Sequence, residues 1–204
     1  MRRYDLFTIG HSNISSERFI AMLRDAEVNA VADVRSVPNS RWCPWFSAKA
    51  LAESLPSAGI TYTTMGNTLG GRPHDGTLFR AGVVDYEAMA VRPEFIASLD
   101  RLTEAAARSR ICLMCSEREP LDCHRCLLVA RSLAERGVAV GHILHDGNIE
   151  PHATTEARLL ALDGDADGLF AAGERERLAA AYRHRAHAVG FKQKSRPDAA
   201  RKKK

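Results

Sequence analysis

The residues able to do chemistry cluster in one stretch, Ile111 to Cys126, which reads ICLMCSEREPLDCHRC. Cys115 and Glu117 are candidate nucleophile and general base. Cys123, His124 and Arg125 are candidate binding groups. The stretch opens on a short apolar run, Ile111 to Met114, which reads as a buried strand. A polar turn follows, with Glu117, Glu119, Pro120 and Asp122. Then CHRCLLVARSLAERG carries apolar residues at helical spacing, Leu127, Leu128, Ala130 and Leu133, and stops at Gly137. Cys115 therefore falls at the carboxyl end of a strand. Cys123, His124 and Arg125 fall at the start of a helix, where free N–H groups favour anions and lower thiol pKa values.

Other elements must bring partners to this stretch. Tyr4 to Gly10 reads as a first strand, broken at Gly10-His11-Ser12, and Ser15 or Ser16 caps a helix after it. Val28 to Val34 is a second strand ending in Asp33-Val34-Arg35. A loop with two prolines and two tryptophans, Ser36 to Phe46, leads to a helix over Ser47 to Ala58. Ile60 to Met65 is a third strand. Gly66 to Arg92 reads as a long irregular segment containing LGGRP, the length of a lid or binding loop. Pro93 to Arg108 is a helix with proline at its start, and Val138 to Leu144 a fifth strand followed by His145-Asp146-Gly147. Strands alternating with helices predict a mostly parallel five-stranded sheet in a three-layer α/β domain over residues 1–150. Two helical patterns, Thr154 to Leu162 and Glu174 to Val189, form an extension over 151–191 that docks on it. The tail from Lys192 onward is expected to be disordered.

Each strand thus ends in ionisable or reactive residues: His11 and Ser12, Asp33 and Arg35, Arg72, Cys115 and Glu117, His145 and Asp146. In an open parallel sheet these ends share the edge where ligands bind, which predicts one convergent site. Each residue also has a plainer role: His11 as a helix cap, Asp33 and Arg35 as a pair, His145-Asp146-Gly147 as a turn.

GHS after the first strand, DVR ending the second, LGGR, and CSE, P and CHR around the fourth strand together resemble the family catalogued as domain of unknown function 488. The resemblance runs from about Tyr4 to Tyr182, and CxE followed by P and CHR is its specific part. It implies a Rossmann-like α/β domain and no established reaction. Its characteristic positions match His11, Ser12, Asp33, Arg35, Arg72, Cys115, Glu117, Cys123, His124 and Arg125. Cys43 and Cys126 are extra to the pattern.

Several chemistries fit these residues. Arg35, Arg72 and Arg125 suit the phosphate oxygens of a nucleotide or nucleic-acid component. Glu117 or Asp33 would then be base or nucleophile, with His11 shuttling a proton, in a hydrolase or transferase. A cysteine-phosphatase loop is disfavoured, because Cys115 and Arg125 are too far apart and acidic residues lie between them. Thiol redox would use Cys123 and Cys126 as a C-x-x-C pair. Zinc would draw on Cys115, Cys123, His124 and Cys126 or, as a catalytic site, on Cys123 with a distant His11 or His145. The spacing lacks paired knuckles, and adjacent Cys123 and His124 would diverge on a helix, so no metal is expected there. Asp163, Asp165, Asp167 and Glu174 fit a calcium-loop pattern around Gly168, against the plain reading of an acidic linker. A non-catalytic module would use Trp42, Trp45 and Phe46 beside Arg41 to stack bases, and the basic tail to attract nucleic acid.

Composition narrows the class. With 45% hydrophobic and 26% charged residues, the chain is an ordinary globular one. The net charge of +4 comes from the tail, where Lys192, Lys194, Arg196, Arg201, Lys202, Lys203 and Lys204 face Asp198. The fold itself is near neutral, so the basic balance says little about nucleic acid. No apolar run has membrane-spanning length, and MRRYDLFTIGH lacks the features of a signal peptide. The expectation is a cytoplasmic protein with reduced cysteines.

Overall fold

The chain builds its core from strand β1 (Leu6–Gly10), whose five residues are all buried. Helix α1 (Ser16–Asp25) follows, its amino end capped by the Ser15 side chain, which accepts from the Arg18 N–H, and its Phe19, Met22 and Leu23 turned inward. Strand β2 (Ala30–Asp33), helix α2 (Ala48–Ser57) and strand β3 (Thr61–Thr64) come next. The structure is a computed structural model and describes residues 4–164 and 173–193.

The segment expected to be irregular, 66–92, has structure of its own. It holds helix α3 (Gly66–Leu69), the hairpin strands β4 (Phe79–Arg80) and β5 (Val83–Val84), and helix α4 (Tyr86–Ala90), capped by Asp85. These pieces are too short to show a periodicity. Helix α5 (Pro93–Ala106) leads into strand β6 (Ile111–Cys115). After a tight turn at Pro120–Asp122 the chain enters a π-helical stretch, Arg125–Ala130, continued by helix α6 (Arg131–Ala134). Strand β7 (Val140–Ile143), strand β8 (Ile149–Pro151), helix α7 (His152–Asp163) and helix α8 (Glu174–Val189) complete the described chain.

The sheet order is β3-β2-β6-β1-β7-β8. The first five strands are parallel, which is the predicted Rossmann-like three-layer α/β sheet. The sixth, β8, pairs antiparallel with β7 and corrects the expected count of five. Successive residues of β6 go to opposite faces: Ile111, Leu113 and Cys115 to one, Cys112 and Met114 to the other. One face is covered by α1 and α2, the other by α5, the π-helical stretch and the carboxyl-terminal helices. Phe7, Phe19, Phe46 and Phe95 are fully enclosed; burial of each contributes about 1.5–3 kcal/mol.

Topology positions the site. The chain leaves β1 and β2 toward the α1/α2 face, and it leaves β6, which lies between them, toward the opposite face. A crevice opens at such a divergence, outside the carboxyl ends of the strands. Chain returning from α8 closes one side of it. The Val84 N–H donates to the Phe191 carbonyl at 3.0 Å and the Gln193 N–H to the Gly82 carbonyl at 2.8 Å. Lys192, where the sequence suggested disorder, instead pairs with Val83. The calcium pattern falls largely outside the described residues. Of its predicted ligands, Asp163 accepts from His184 at 3.0 Å and Glu174 starts α8. Among the described residues no helix is long and apolar enough to cross a membrane.

Candidate functional site

At the carboxyl end of β6 a cleft of about 430 Å³ opens. Its floor carries Cys115, Ser116, Glu117, Cys123 and His124, and its walls carry Arg35, Ser36, Asn39, Gly71, Arg72, Tyr86, Asp122, Phe191 and Lys192. Of the ten residues singled out from sequence, six line it: Arg35, Arg72, Cys115, Glu117, Cys123 and His124. His11, Ser12, Asp33 and Arg125 do not. They lie behind the floor and hold it.

The floor is tightly made. The Cys115 and Cys123 thiols both donate to the same oxygen of Glu117, Oε2, at 2.9 and 3.0 Å. His124 Nε2–H donates to the Val34 carbonyl at 2.9 Å, which turns Nδ1 toward the two sulfurs, at 3.7 and 3.9 Å. Donor atoms of all four residues lie within 4.8 Å of one another. Cys123 is extended, with φ −138° and ψ 138°, because the turn at Pro120–Asp122 delays the helix. That overturns the expectation that Cys123 and His124 sit on a helix and diverge.

Burial, then neighbouring Cys123, raises the Cys115 thiol pKa. Burial alone would raise Cys123 too, but its hydrogen bond with Cys115 and the positive charges of Arg125 and His124 hold it well below the ordinary thiol range. Burial opposes protonation of His124, and the adjoining Cys123 outweighs it and raises its pKa. Glu117 is raised by burial and by Cys123.

The supporting residues explain two glycines. Arg125 is fully enclosed, and its guanidinium donates to the Glu117 carbonyl at 2.6 Å and to the Arg118 carbonyl at 3.0 Å. It shapes the loop that presents Glu117, where phosphate binding was expected of it. A Cβ on Gly10 would sit 1.8 Å from the Glu117 carbonyl oxygen, so the GHS glycine lets that loop close over β1. A Cβ on Gly71 would meet the His124 ring at 2.6 Å. LGGR thus carries glycine so that its backbone can pass over the imidazole and deliver Arg72, whose backbone N–H donates to Ser36 Oγ at 2.9 Å.

Asp33 was expected to act as base or nucleophile. Its carboxylate is buried and satisfied instead. It accepts from Arg35 Nε at 2.9 Å, Arg35 Nη2 at 2.6 Å, the Arg35 backbone N–H at 3.0 Å and Tyr62 O–H at 2.7 Å. It anchors Arg35. His11, expected to shuttle a proton, donates from Nδ1 to the Ser12 carbonyl at 2.8 Å and accepts at Nε2 from Arg35 at 3.2 Å. It also stacks on Phe46 at 4.2 Å. Burial and the Arg35 charge lower its pKa from 6.5 to about 4, so the ring is neutral. Ser12 takes a positive φ of 48°, and its carbonyl also accepts from the Cys43 thiol.

Cys126, the other half of the supposed redox pair, turns to His142, 4.0 Å away. There a chain of hydrogen bonds runs from Thr8 O–H to His142 Nδ1 at 2.8 Å and from His142 Nε2–H to His152 Nδ1 at 2.9 Å. It continues from His152 Nε2–H to the Tyr182 oxygen at 3.1 Å, and from Tyr182 O–H to Glu156 at 3.0 Å. The chain ties α7 and α8 to the sheet. Of the aromatics expected to stack bases, Phe46 is core and Trp45 Nε1–H donates to the Ile14 carbonyl, while Trp42 is exposed beneath Arg41. His145 lies outside the cleft and donates no side-chain support to it.

The sequence motifs missed Tyr86, Ser36, Phe191 and Lys192. The guanidinium of Arg72 packs over the Phe191 ring at 5.3 Å. Nothing local in the sequence marks a contact between residues so far apart. A family model matches residues 15–132 under the description "Domain of unknown function DUF488". The matched range contains Asp33, Arg35, Arg72, Cys115, Glu117, Cys123, His124 and Arg125; His11, Ser12 and the segments after 132 lie outside it. No curated protein and no solved structure matches the chain.

Proposed function

The chain belongs to the DUF488 family, and on that premise we propose that it is an enzyme, a hydrolase or transferase, acting on a phosphate-bearing, nucleotide-like substrate in the cleft above β6. The observation that carries the reading is the pairing of opposite functions in one cavity: the Glu117 carboxylate in the floor, and the Arg72 and Lys192 cations on the wall. Arg72 is exposed and, among the described residues, makes no ion pair, so its N–H groups remain for an anion. Phe191 and Tyr86 give the cavity flat apolar surface beside the cations, suited to a base or sugar.

In this reading Glu117 is the acid/base residue that touches substrate. Asp122, the other carboxylate of the lining, is engaged by Arg185. Arg35 and Asp33 are positioning residues, and Arg125 fixes the loop bearing Glu117.

The test is turnover of a panel of nucleotides and phosphorylated sugars by the full chain, followed by mass spectrometry of products. Glu117→Gln should abolish turnover of any substrate found, while leaving its circular dichroism spectrum and ligand binding in place. Binding without turnover by the unaltered protein would make this a binding module and reject the enzyme reading. Full turnover by Glu117→Gln would remove Glu117 from the chemistry.

A further inference from the structure

We infer that Cys115, Cys123 and His124 form a three-ligand site for a thiolate-preferring divalent ion such as zinc, with the fourth coordination position open to the cleft beside Glu117. This deepens the proposed function, since it names a cofactor for the same site, but the coordination argument does not depend on the substrate.

Geometry carries it. A tetrahedral zinc with bonds of about 2.3 Å to sulfur and about 2.0–2.1 Å to nitrogen separates sulfur from nitrogen by roughly 3.5 Å and sulfur from sulfur by roughly 3.8 Å. Here His124 Nδ1 lies 3.7 and 3.9 Å from the two sulfurs, and the whole set falls within 4.8 Å. The histidine–sulfur separations need only a few tenths of an ångström of contraction, and the two sulfurs lie within the 4.8 Å that bounds the set.

The surroundings fit a metal ligand set. The His124 Nε2–H bond to the Val34 carbonyl at 2.9 Å fixes the ring so that Nδ1 faces the sulfurs, the usual outer-shell device for a metal-bound histidine. The Arg125 backbone N–H donates to Cys123 Sγ at 3.4 Å, a bond that steadies a coordinating sulfur. Both thiols point their protons at a single carboxylate oxygen. The ion takes both sulfurs as thiolates, any thiol proton leaving to solvent, and Glu117 is freed to accept from a water at the fourth position. All four residues line the cleft, so the ion has an entry path.

The second cluster, Cys126 with His142 and His152, is the natural comparison. Both its histidines are already consumed in the hydrogen-bonded chain to Thr8 and Tyr182, and none of the three lines the cleft.

Cobalt chloride is the probe, titrated into the reduced full chain. One equivalent should give the visible bands of a tetrahedral site together with a near-ultraviolet sulfur-to-cobalt band. Cys115→Ser and Cys123→Ser should each weaken binding by more than the roughly 10–100-fold that follows loss of an outer-shell partner. Glu117→Gln should keep the spectrum, and so should Cys126→Ser. Circular dichroism of each variant checks the fold. Absence of the sulfur band, or its loss in Cys126→Ser and retention in Cys123→Ser, overturns the site. The readout involves no substrate. A normal cobalt spectrum with no turnover on any substrate would therefore defeat the enzyme reading and leave the metal site standing.

Discussion

Replacing Asp33 by Asn separates an anchoring carboxylate from a catalytic one. Asp33 is fully buried, and three of its four donor groups belong to Arg35, a side chain only 3% exposed. Its fourth comes from Tyr62. Asn keeps the shape but removes the charge, leaving a guanidinium enclosed without its counter-ion. Breaking such a pair from one side costs about 3–5 kcal/mol, against a total stability on the order of 5–15 kcal/mol for a domain. Tyr62→Phe removes one hydrogen bond to the same carboxylate and should cost about 1.5 kcal/mol, the lower end for a bond to a charged group because Tyr62 is only half-buried. The loss in Asp33→Asn/Tyr62→Phe should fall short of the sum of the single losses, since the charge-assisted bond exists only while both the carboxylate and the hydroxyl are present. Urea unfolding at neutral pH, followed by circular dichroism, measures all three. A cost under about 1 kcal/mol for Asp33→Asn, or strict additivity, would refute the anchoring role and return Asp33 to the candidates for chemistry.

Two further outcomes follow from the same packing. The buried histidines make the protein acid-sensitive. The pKa values of His11 and His152 are lowered from 6.5 to about 4, chiefly by burial, so between those values the unfolded chain binds protons that the folded chain does not. Their contribution is complete above pH 6.5 and is lost as pH falls toward 4, reaching roughly 2 kcal/mol for each by pH 5. Glu117 and Glu156, both raised, act in the opposite sense. Urea midpoints at several pH values should therefore fall less steeply with acid in His152→Asn than in the unaltered protein; identical slopes would contradict the neutral assignment. Gly71→Ala, which drives a methyl group into the His124 ring, should displace the loop carrying Arg72 and cost about 1–3 kcal/mol. A melting temperature equal to that of the unaltered protein would show that the close approach is not maintained in solution.

Much of this arrangement was legible in the sequence. The alternation of apolar runs and helical periods located all five parallel strands, and the strand-end rule gathered six of the ten chosen residues into one cleft. What the sequence did not carry was orientation. Arg125 has the chemistry of a phosphate ligand, yet it is spent on the carbonyls of the Glu117–Arg118 loop. Asp33 and Arg35 are two residues apart and satisfy one another, the plainer of the roles their spacing allowed. Cys123 looked helical because CHRCLLVARSLA has helical period, but the turn begun by Pro120 holds it extended and aims its sulfur at Cys115 and Glu117. The edge strand β8 was hidden because Ile149–Pro151 is too short to alternate, and its pairing depends on the turn at Asp146 and Gly147. Phe191 and Lys192 reach the cleft through the β5 edge, a contact between distant parts of the chain with no local signature.

The proposed function requires that the cleft above β6 receive an anion through Arg72. Calorimetric titration of the full chain with inorganic pyrophosphate, run in parallel on the Arg72→Ala variant, tests it most directly. Arg72 is exposed, so the variant keeps the fold. Saturable binding by the unaltered protein is expected, weakened by about tenfold or more, roughly 1.4 kcal/mol, once the guanidinium is gone. No binding, or equal affinity in the two proteins, would contradict it.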